Sequence, residues 1–229
     1  LAFKDIAFQY ERTPILADIS FELPAGSITC LMGASGCGKS TLVAIAADLL
    51  SPTSGAVLRA SDCQAAPMFQ DPLLLPWRDA LSNVVFALKS EPIPASERIE
   101  RARLALGETG LPETAHGKYP HQLSGGMRQR VALAPPHPVA PDLLLLDEPF
   151  RALDLPLARR MYLRVRRVIS ERQTTALIVT HDAREAARIA DRVVVLSAAP
   201  GRVRAQRTLP GSPEGRNAIE IAHLADELE

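Results

Sequence analysis

The sequence has little of several features that would assign it at once to a common class of protein. Lysine and arginine number 26, as do aspartate and glutamate, so the zero net charge gives no electrostatic case for nucleic-acid binding. The three cysteines, Cys30, Cys37 and Cys63, have no metal-site spacing, and their odd number argues against a disulfide framework. No apolar run approaches the roughly 18 residues that a spanning helix needs. At 229 residues, the chain suits an α/β domain with a sizeable core.

The glycine-rich loop from Gly33 to Ser40 is the first chemical signal. It fits the pattern G-x-x-x-x-G-K-S and lies between a strand predicted over Ser27–Met32 and a helix predicted over Lys39–Leu50. Glycines allow backbone angles that turn successive N–H groups inward, and the helix dipole adds to the attraction for phosphate. We expect Lys39 to reach the β- and γ-phosphates of a nucleotide and the Ser40 hydroxyl to ligate Mg²⁺. The alternative is a chance glycine loop, which the flanking strand and helix disfavour.

The apolar run Leu143–Leu146 is followed by two adjacent carboxylates, Asp147 and Glu148. A continuously apolar run is typical of a buried parallel strand, and ligands bind at the carboxyl ends of such strands. We expect Asp147 to hold Mg²⁺, directly or through water, and Glu148 to orient or deprotonate the attacking water. Taken alone, the pair is better interpreted as exposed carboxylates at a strand end. Beside the lysine loop, the catalytic interpretation is favoured.

The segment Leu123-Ser124-Gly125-Gly126, followed by Met127, resembles the signature sequence of ABC-type ATPases. The similarity covers essentially Phe3 to Arg204, and the motifs occur in the family's order. It implies an α/β fold of the P-loop NTPase, ABC-ATPase type, with a mainly parallel sheet core, an N-terminal antiparallel β subdomain and an inserted helical subdomain. In that family two subunits enclose two ATP molecules, so this turn would cap the γ-phosphate of the partner's ATP. A Ser-Gly-Gly turn that opens a helix is equally an ordinary N-cap.

Further positions match the family's motifs one by one. Tyr10 would stack on adenine, although aromatic residues are also common in edge strands. Gln70 would sense Mg²⁺ and the attacking water, Asp154 would lie in a loop that crosses the dimer interface, and His181 would contact the γ-phosphate. The resemblance thus implies nucleotide-binding residues Tyr10, Gly33, Ser35, Gly36, Cys37, Gly38, Lys39, Ser40, Thr41, Ser124, Gly125, Gly126 and Asp154. The implied catalytic residues are Glu148, His181 and Gln70, and the implied metal ligands are Ser40, Gln70 and Asp147.

The segment from Gln70 to Trp77 is similar to the corresponding stretch of bacterial importers of the nitrate, sulfonate and taurine class. The resemblance implies an ATP-hydrolysing subunit with ATP and Mg²⁺ as cofactors, peripheral on the cytoplasmic face of the inner membrane. It implies a homodimer on ATP binding, permease subunits that dock around Leu73 to Trp77, and indirectly a periplasmic or extracellular solute-binding protein. The balanced charge adds no nucleic acid to these partners. The alternative is that Leu73–Leu75 and Trp77 belong to the core.

We expect one ABC ATPase domain, with residues 1–70 and 143–210 as its nucleotide-binding core. Residues from about 71 to 142 would form the helical subdomain that carries the signature sequence, and residues 211–229 a tail. The local patterns predict strands and helices over Phe3–Tyr10, Ile19–Leu23, Ala56–Arg59, Ala66–Phe69, Ser96–Gly107, Pro156–Glu171, Ala176–Thr180 and Arg192–Leu196, and helices from Ser124, Asp182 and Ala218. The segment Pro200–Asn217 is expected to be a loop.

Several residues depart from the family's pattern. The segment Pro135-Pro136-His137-Pro138 stands where the signature helix usually continues, and a proline inside a helix costs about 3 kcal/mol, so we expect that helix to end early. Two other functions stay open: a soluble ABC-type ATPase not tied to transport, and a non-hydrolysing nucleotide-binding regulator. The intact Glu148 and His181 argue against the second.

Overall fold

A computed structural model of the protein describes residues 1–90, 93–134 and 141–228. The chain divides into two compact units. The core unit comprises Leu1–Pro67, Pro141–Glu148 and Tyr162–Glu229, and the helical unit comprises Met68–Ala140 and Pro149–Met161. The Pro135–Pro138 segment, with the early helix end expected there, lies outside the described residues. No helix within the described ranges has the length and apolar character needed to cross a bilayer.

A three-stranded antiparallel sheet opens the core unit. Its order is β2-β1-β4, formed by β1 (Ala2–Tyr10), β2 (Thr13–Glu22) and β4 (Ser54–Leu58). Alternate apolar residues of β1 and β2 are buried, and the rings of Phe3 and Phe21 pack with their centroids 4.7 Å apart. The predicted antiparallel pair is confirmed, although the second strand begins earlier than the apolar alternation indicated.

A six-stranded sheet forms the centre of the core unit, in the order β5-β6-β7-β3-β8-β9. Strands β6, β7, β3 and β8 pair in parallel, and β9 is antiparallel to β8. Every residue of β6 and β7 is buried, which explains their continuously apolar sequences. The bounds are β3 (Ile28–Gly33), β5 (Ala65–Met68), β6 (Leu143–Asp147), β7 (Thr175–Val179), β8 (Arg192–Leu196) and β9 (Val203–Thr208). The predicted α/β fold with a mainly parallel sheet is confirmed.

Two predictions in the core unit are wrong. The helix expected over Lys39–Leu50 is α1 (Lys39–Ala46), because Asp48 has a left-handed φ of 59° that a right-handed helix cannot continue. The segment expected to be a loop, Pro200–Asn217, contains β9. Strand β9 pairs with β8 at the edge of the sheet and is polar and largely exposed. Its sequence therefore lacks the sustained apolar alternation that predicts a strand.

The remaining helices are α2 (Ala80–Ala87), α3 (Ala95–Glu108), α4 (Gly125–Leu133), α5 (Leu155–Arg172), α6 (Ala183–Ile189) and α7 (Ala218–Asp226). Short 3₁₀ turns lie at Leu88–Ser90, Glu113–Ala115, Pro120–Gln122 and Pro213–Gly215. In the helical unit, apolar residues of α2, α3 and α4 share one core, which includes Val84, Leu106 and Val131. The sequence did not predict α2. Its signal is the N-cap, where the Asp79 carboxylate accepts a hydrogen bond from the Ser82 N–H at 2.7 Å.

Within the core unit, Arg216 ties the C-terminal tail to the end of α6. Its buried guanidinium donates hydrogen bonds to the carbonyls of Ala187 and Ala190, each at 2.8 Å, near the end of α6. Two more bonds reach the carbonyls of Pro210 and Gly211 at 3.1 and 3.2 Å. Burial lowers the pKa of Arg216 from its ordinary value. One side chain therefore satisfies carbonyls at a helix end and within the tail.

Replacing this guanidinium should destabilise the protein. We expect Arg216→Met to lower the free energy of unfolding by about 3 kcal/mol, because the buried carbonyls lose their donor. The matched control is Arg207→Met, which removes an exposed ion pair with Glu227 and should cost less than about 1 kcal/mol. Urea denaturation of both variants measures the difference, and equal losses would contradict the assignment.

Candidate nucleotide site

The glycine-rich loop connects β3 to α1, as the sequence predicted. Gly38 precedes α1 with a φ of 97°, a left-handed conformation that few residues other than glycine adopt. The buried Lys39 Nζ donates hydrogen bonds to the carbonyls of Gly33 at 2.8 Å and Ala34 at 2.9 Å. The ammonium group is therefore held inside the loop by the loop's own backbone. This arrangement presents positive charge beside a helix N-terminus, where an anion is stabilised.

The loop packs against Leu16 and Gly201, two residues outside the motif to which the sequence analysis assigned no role. A Cβ on Gly38 would lie 2.5 Å from Leu16 Cδ2, and a Cβ on Gly201 would lie 2.2 Å from the carbonyl oxygen of Cys37. The Gly201 N–H donates to the Ile15 carbonyl at 2.8 Å, and its own carbonyl accepts from Ala17 at 2.9 Å. The start of β2 and Gly201 thus pack directly against the loop. The only signal was the Pro200-Gly201 pair, which is typical of an ordinary turn.

Asp147 lies at the end of β6, and Ser40, at the start of α1, is near enough for its hydroxyl to influence the pKa of the Asp147 carboxyl. Burial raises the pKa of Asp147 above its ordinary value, and the Ser40 hydrogen bond and Lys39 offset part of this effect. Two of the three predicted metal ligands therefore belong to the same part of the core unit. A carboxylate and a hydroxyl are the hard oxygen donors that Mg²⁺ prefers, and this ion takes other ligands from phosphates and water. The donor set therefore fits Mg²⁺, and among the described residues no cluster of three His, Cys, Asp or Glu offers another metal site.

Glu148 and His181 form the second pair of the core unit. Glu148 Oε1 and His181 Nδ1 are 3.0 Å apart, so the ring donates a hydrogen bond when Nδ1 carries the proton. Glu148 has a φ of 48°, which is uncommon for a residue other than glycine and is often found at functional sites. Its N–H donates to the Val179 carbonyl at 3.0 Å, which anchors the backbone beside β7. The carboxylate is thus fixed at the strand end with a histidine partner.

Tyr10 is the remaining candidate in the core unit. It ends β1, its side chain is exposed, and its ring packs edge-on against Phe8 with the centroids 4.9 Å apart. An exposed ring at a strand end is available for stacking, and it is equally an ordinary edge-strand aromatic. Stacking of Tyr10 on adenine stays a prediction.

Other predicted site residues belong to the helical unit. The Ser124 Oγ accepts a hydrogen bond from the Met127 N–H at 3.2 Å, so this side chain serves as the N-cap of α4. Gly125 and Gly126 form the first turn, and a Cβ on Gly126 would lie 3.1 Å from the Ala152 carbonyl. Gln70 also lies in this unit and is exposed. Its position in the chain is two residues after the end of β5.

Two residues of α4 that the sequence did not assign hold the segment after Glu148. The buried Gln129 donates a hydrogen bond to the Pro149 carbonyl at 3.1 Å. Arg130 donates to the Gly110 carbonyl at 3.0 Å and lies 3.7 Å from the Asp154 carboxylate. Asp154 Oδ1 in turn accepts from the Leu157 N–H at 2.9 Å, at the start of α5. The signature helix and the loop that contains Asp154 are therefore joined by polar contacts.

Leu73 and Trp77 of the candidate docking segment are exposed, whereas the alternative interpretation as core residues required them to be buried. Leu73 and Trp77 have relative exposures of 76% and 70%. Only Leu74 packs against the core of the helical unit. The core interpretation is therefore wrong for Leu73 and Trp77, which each expose a large apolar side chain.

Comparison with known families matches residues 16–151 to the ABC transporter family. An aliphatic sulfonates import ATP-binding protein of Burkholderia thailandensis is 38% identical over 97% of this chain, which spans 65% of that relative's length. An uncharacterised ABC transporter ATP-binding protein of Methanocaldococcus jannaschii is 40% identical over 98% of this chain and 86% of its own.

Solved structures are similar over most of the fold. The dimeric structure of a bacterial ABC transporter cassette covers 92% of this chain and 99% of its own, with a TM-score of 0.79 and 29% identity. A dimeric post-hydrolysis state bound to ADP and phosphate has the same TM-score and 28% identity, with coverage of 92% and 99%.

Adding one methyl group outside the motif should disturb the glycine-rich loop. We expect Gly201→Ala to lower the free energy of unfolding by about 2 kcal/mol and to weaken ATP binding, because its Cβ would press on the Cys37 carbonyl. Gly215→Ala is the matched control, since a Cβ there meets nothing within 4 Å. Thermal unfolding and equilibrium ATP binding measure both effects. A Gly201→Ala protein that behaves like Gly215→Ala would show that the close contact is unimportant.

Proposed function

The chain belongs to the ABC transporter family, and from this premise we propose that it is the ATP-hydrolysing subunit of an importer for a small oxyanion solute. The observation that carries the catalytic part is the 3.0 Å contact between the Glu148 carboxylate and the His181 ring at the end of β6. The importer class is supported by the similarity to aliphatic sulfonate import proteins and by the exposed Leu73 and Trp77.

The residues of the core unit have separable roles in this proposal. The N–H groups of the loop from Gly33 to Thr41 and the Lys39 ammonium hold the phosphates. Ser40 and Asp147 hold Mg²⁺, which when bound supplies positive charge to the phosphate oxygens. Glu148 accepts a hydrogen bond from the attacking water, and His181 holds the Glu148 carboxylate in place and contacts the γ-phosphate. Tyr10 stacks on the adenine ring.

The helical unit contributes the residues of a shared site. In the proposed homodimer, Ser124, Gly125 and Gly126 bind the γ-phosphate of the ATP held by the partner subunit, and Asp154 lies at the interface. Gln70 contacts Mg²⁺ and the attacking water. The proposal is supported by the helix N-terminus at Gly125, where N–H groups attract an anion, and by the dimeric state of the similar cassette structure.

The partners follow from the same proposal. The apolar surface at Leu73 and Trp77 receives permease subunits, which places the chain on the cytoplasmic face of the membrane and links it indirectly to a solute-binding protein. The solute is a sulfonate, nitrate or taurine. The domain division into residues 1–70 with 143–210, about 71–142, and 211–229 remains part of this proposal.

The two rival functions are less well supported. A non-hydrolysing regulator has no need of a strained Glu148 paired with a histidine at 3.0 Å. In a soluble ATPase that is not tied to transport, the exposed Leu73 and Trp77 would have no partner to bind.

ATP hydrolysis should require the association of two subunits. We expect the rate of Mg·ATP hydrolysis per subunit to rise with protein concentration, because each site takes residues from both subunits. Glu148→Gln is the control, since it keeps the shape of the side chain but loses the carboxylate, and should lower kcat at least about a hundredfold. A rate per subunit that does not vary with concentration would contradict the shared site. ATP binding without hydrolysis would favour the regulator.

The docking surface should matter for transport and not for nucleotide chemistry. We expect Trp77→Ala to lower the uptake of an alkanesulfonate at least about tenfold in cells that contain the chain with its permease, because an exposed aromatic anchor is lost. ATP hydrolysis by the isolated chain should stay within about twofold of the wild type. Leu104→Ala is the matched control, since Leu104 is another exposed apolar residue of the helical unit, at 61%. Unchanged uptake in Trp77→Ala would exclude this surface.

A further inference from the structure

The side chain of Gln129, in α4, contacts the chain directly after Glu148. Its Nε2 donates a hydrogen bond to the Pro149 carbonyl at 3.1 Å, and Gln129 is only 4% exposed. A buried amide costs free energy unless it is hydrogen-bonded, whereas an apolar side chain at the same position would not carry that cost. The proposed mechanism does not use Gln129, so this buried bond calls for a physical reason.

A second contact joins α4 to the same segment of the chain. The first turn of α4 approaches Ala152 so closely that a Cβ on Gly126 would lie 3.1 Å from the Ala152 carbonyl oxygen. Gly126 and Gln129 are three residues apart, so they lie on one face of the helix. The segment also has a turn of its own, in which the Leu153 N–H donates to the Phe150 carbonyl at 3.0 Å. One face of α4 therefore holds this segment at two points.

The backbone of Glu148 needs contacts on both sides. Its φ of 48° lies in the left-handed region, and such a conformation persists only where the surrounding structure fixes it. On one side, the Glu148 N–H donates to the Val179 carbonyl at 3.0 Å. On the other side, the ring of Pro149 locks its own φ at about −65°. The bond from Gln129 to the Pro149 carbonyl therefore restricts the peptide unit that Pro149 shares with Glu148.

We propose that Gln129 is a positioning residue for ATP hydrolysis, which holds the Pro149 carbonyl and thereby keeps the Glu148 carboxylate oriented toward the attacking water. The bond from Gln129 to Pro149 lies within the helical unit, and the peptide bond between Glu148 and Pro149 carries its effect to the carboxylate. This inference rests on the proposed function, in which Glu148 acts on water. It gives α4, whose first turn binds the partner's phosphate in the proposed dimer, a second role in its own subunit.

The first test separates hydrolysis from nucleotide binding. In Gln129→Met, the side chain keeps nearly the same length but loses its donor, so we expect kcat to fall about tenfold. The Kd for a non-hydrolysable ATP analogue with Mg²⁺ should stay within about twofold, since binding does not depend on the direction of the Glu148 carboxylate. Gln129→Leu has a different shape and also lacks the donor, so its kcat should agree with that of Gln129→Met within about threefold.

Thr109 provides the matched control. It is a buried residue of the helical unit, and its hydroxyl donates one hydrogen bond to the Leu106 carbonyl at 2.9 Å. Thr109→Val therefore also removes one buried bond from a side chain to a carbonyl, and it should lower the temperature of thermal unfolding as Gln129→Met does. Its kcat should stay within about twofold of the wild type.

Hydrogen exchange of the nucleotide-free protein gives a measurement that does not depend on activity. The bond to Val179 protects the Glu148 N–H, and loss of the Gln129 donor should let the segment open more often. We expect exchange at the Glu148 amide, resolved by mass spectrometry of short peptides, to be at least about fivefold faster in Gln129→Met than in the wild type. In Thr109→Val it should stay within about twofold.

The outcomes separate this inference from the proposed function. A wild type that hydrolyses ATP, with both Gln129 variants unchanged in kcat, overturns the positioning role alone. A fall in kcat that Thr109→Val shares also overturns it, because that result reflects a general loss of stability, and so does a fall confined to one Gln129 variant, which reflects packing. A wild type that binds ATP without hydrolysing it overturns the proposed function, and the positioning role with it.

Discussion

The parallel pairing of β6, β7 and β3 is the interaction on which the site depends. Ile178 of β7 pairs with Leu146 on one side and Cys30 on the other, so the three strands end at the same edge of the sheet. The backbone contacts continue past the strand ends, where Glu148 N–H reaches the Val179 carbonyl and Thr180 N–H reaches Leu31. Parallel strands can meet in this way only through distant crossovers, so residues far apart in sequence become neighbours.

Negative charge accumulates at that edge, and burial raises its cost. Asp147, Glu148 and Glu185 all lie in the core unit, and the pKa values of Asp147 and Glu185 are both raised, chiefly by burial. Lys39 and the Ser40 hydroxyl offset part of the cost for Asp147, and Thr180 and Tyr162 do so for Glu185. Such an arrangement lowers stability and leaves oxygen donors that fit a divalent cation.

Elements with a strong local signal were predictable from the sequence. The continuous apolar runs of β6 and β7 and the glycine loop before α1 were placed correctly, because burial on both faces and left-handed backbone angles demand particular residues. The strand β9 was missed because an exposed edge strand needs no apolar alternation. The end of α1 was placed too late because the left-handed turn at Asp48 uses a residue other than glycine.

The sequence by itself determined the family, the reaction class and the residues of the motifs, since phosphate binding and water activation each require particular side chains at fixed local spacing. Only the tertiary structure decided which other residues support them. The contacts of Gly201 with Cys37 and of Arg216 with the end of α6 join segments that are distant in the chain. Contacts between distant segments leave no periodic pattern in the sequence, because they depend on how the strands and helices pack.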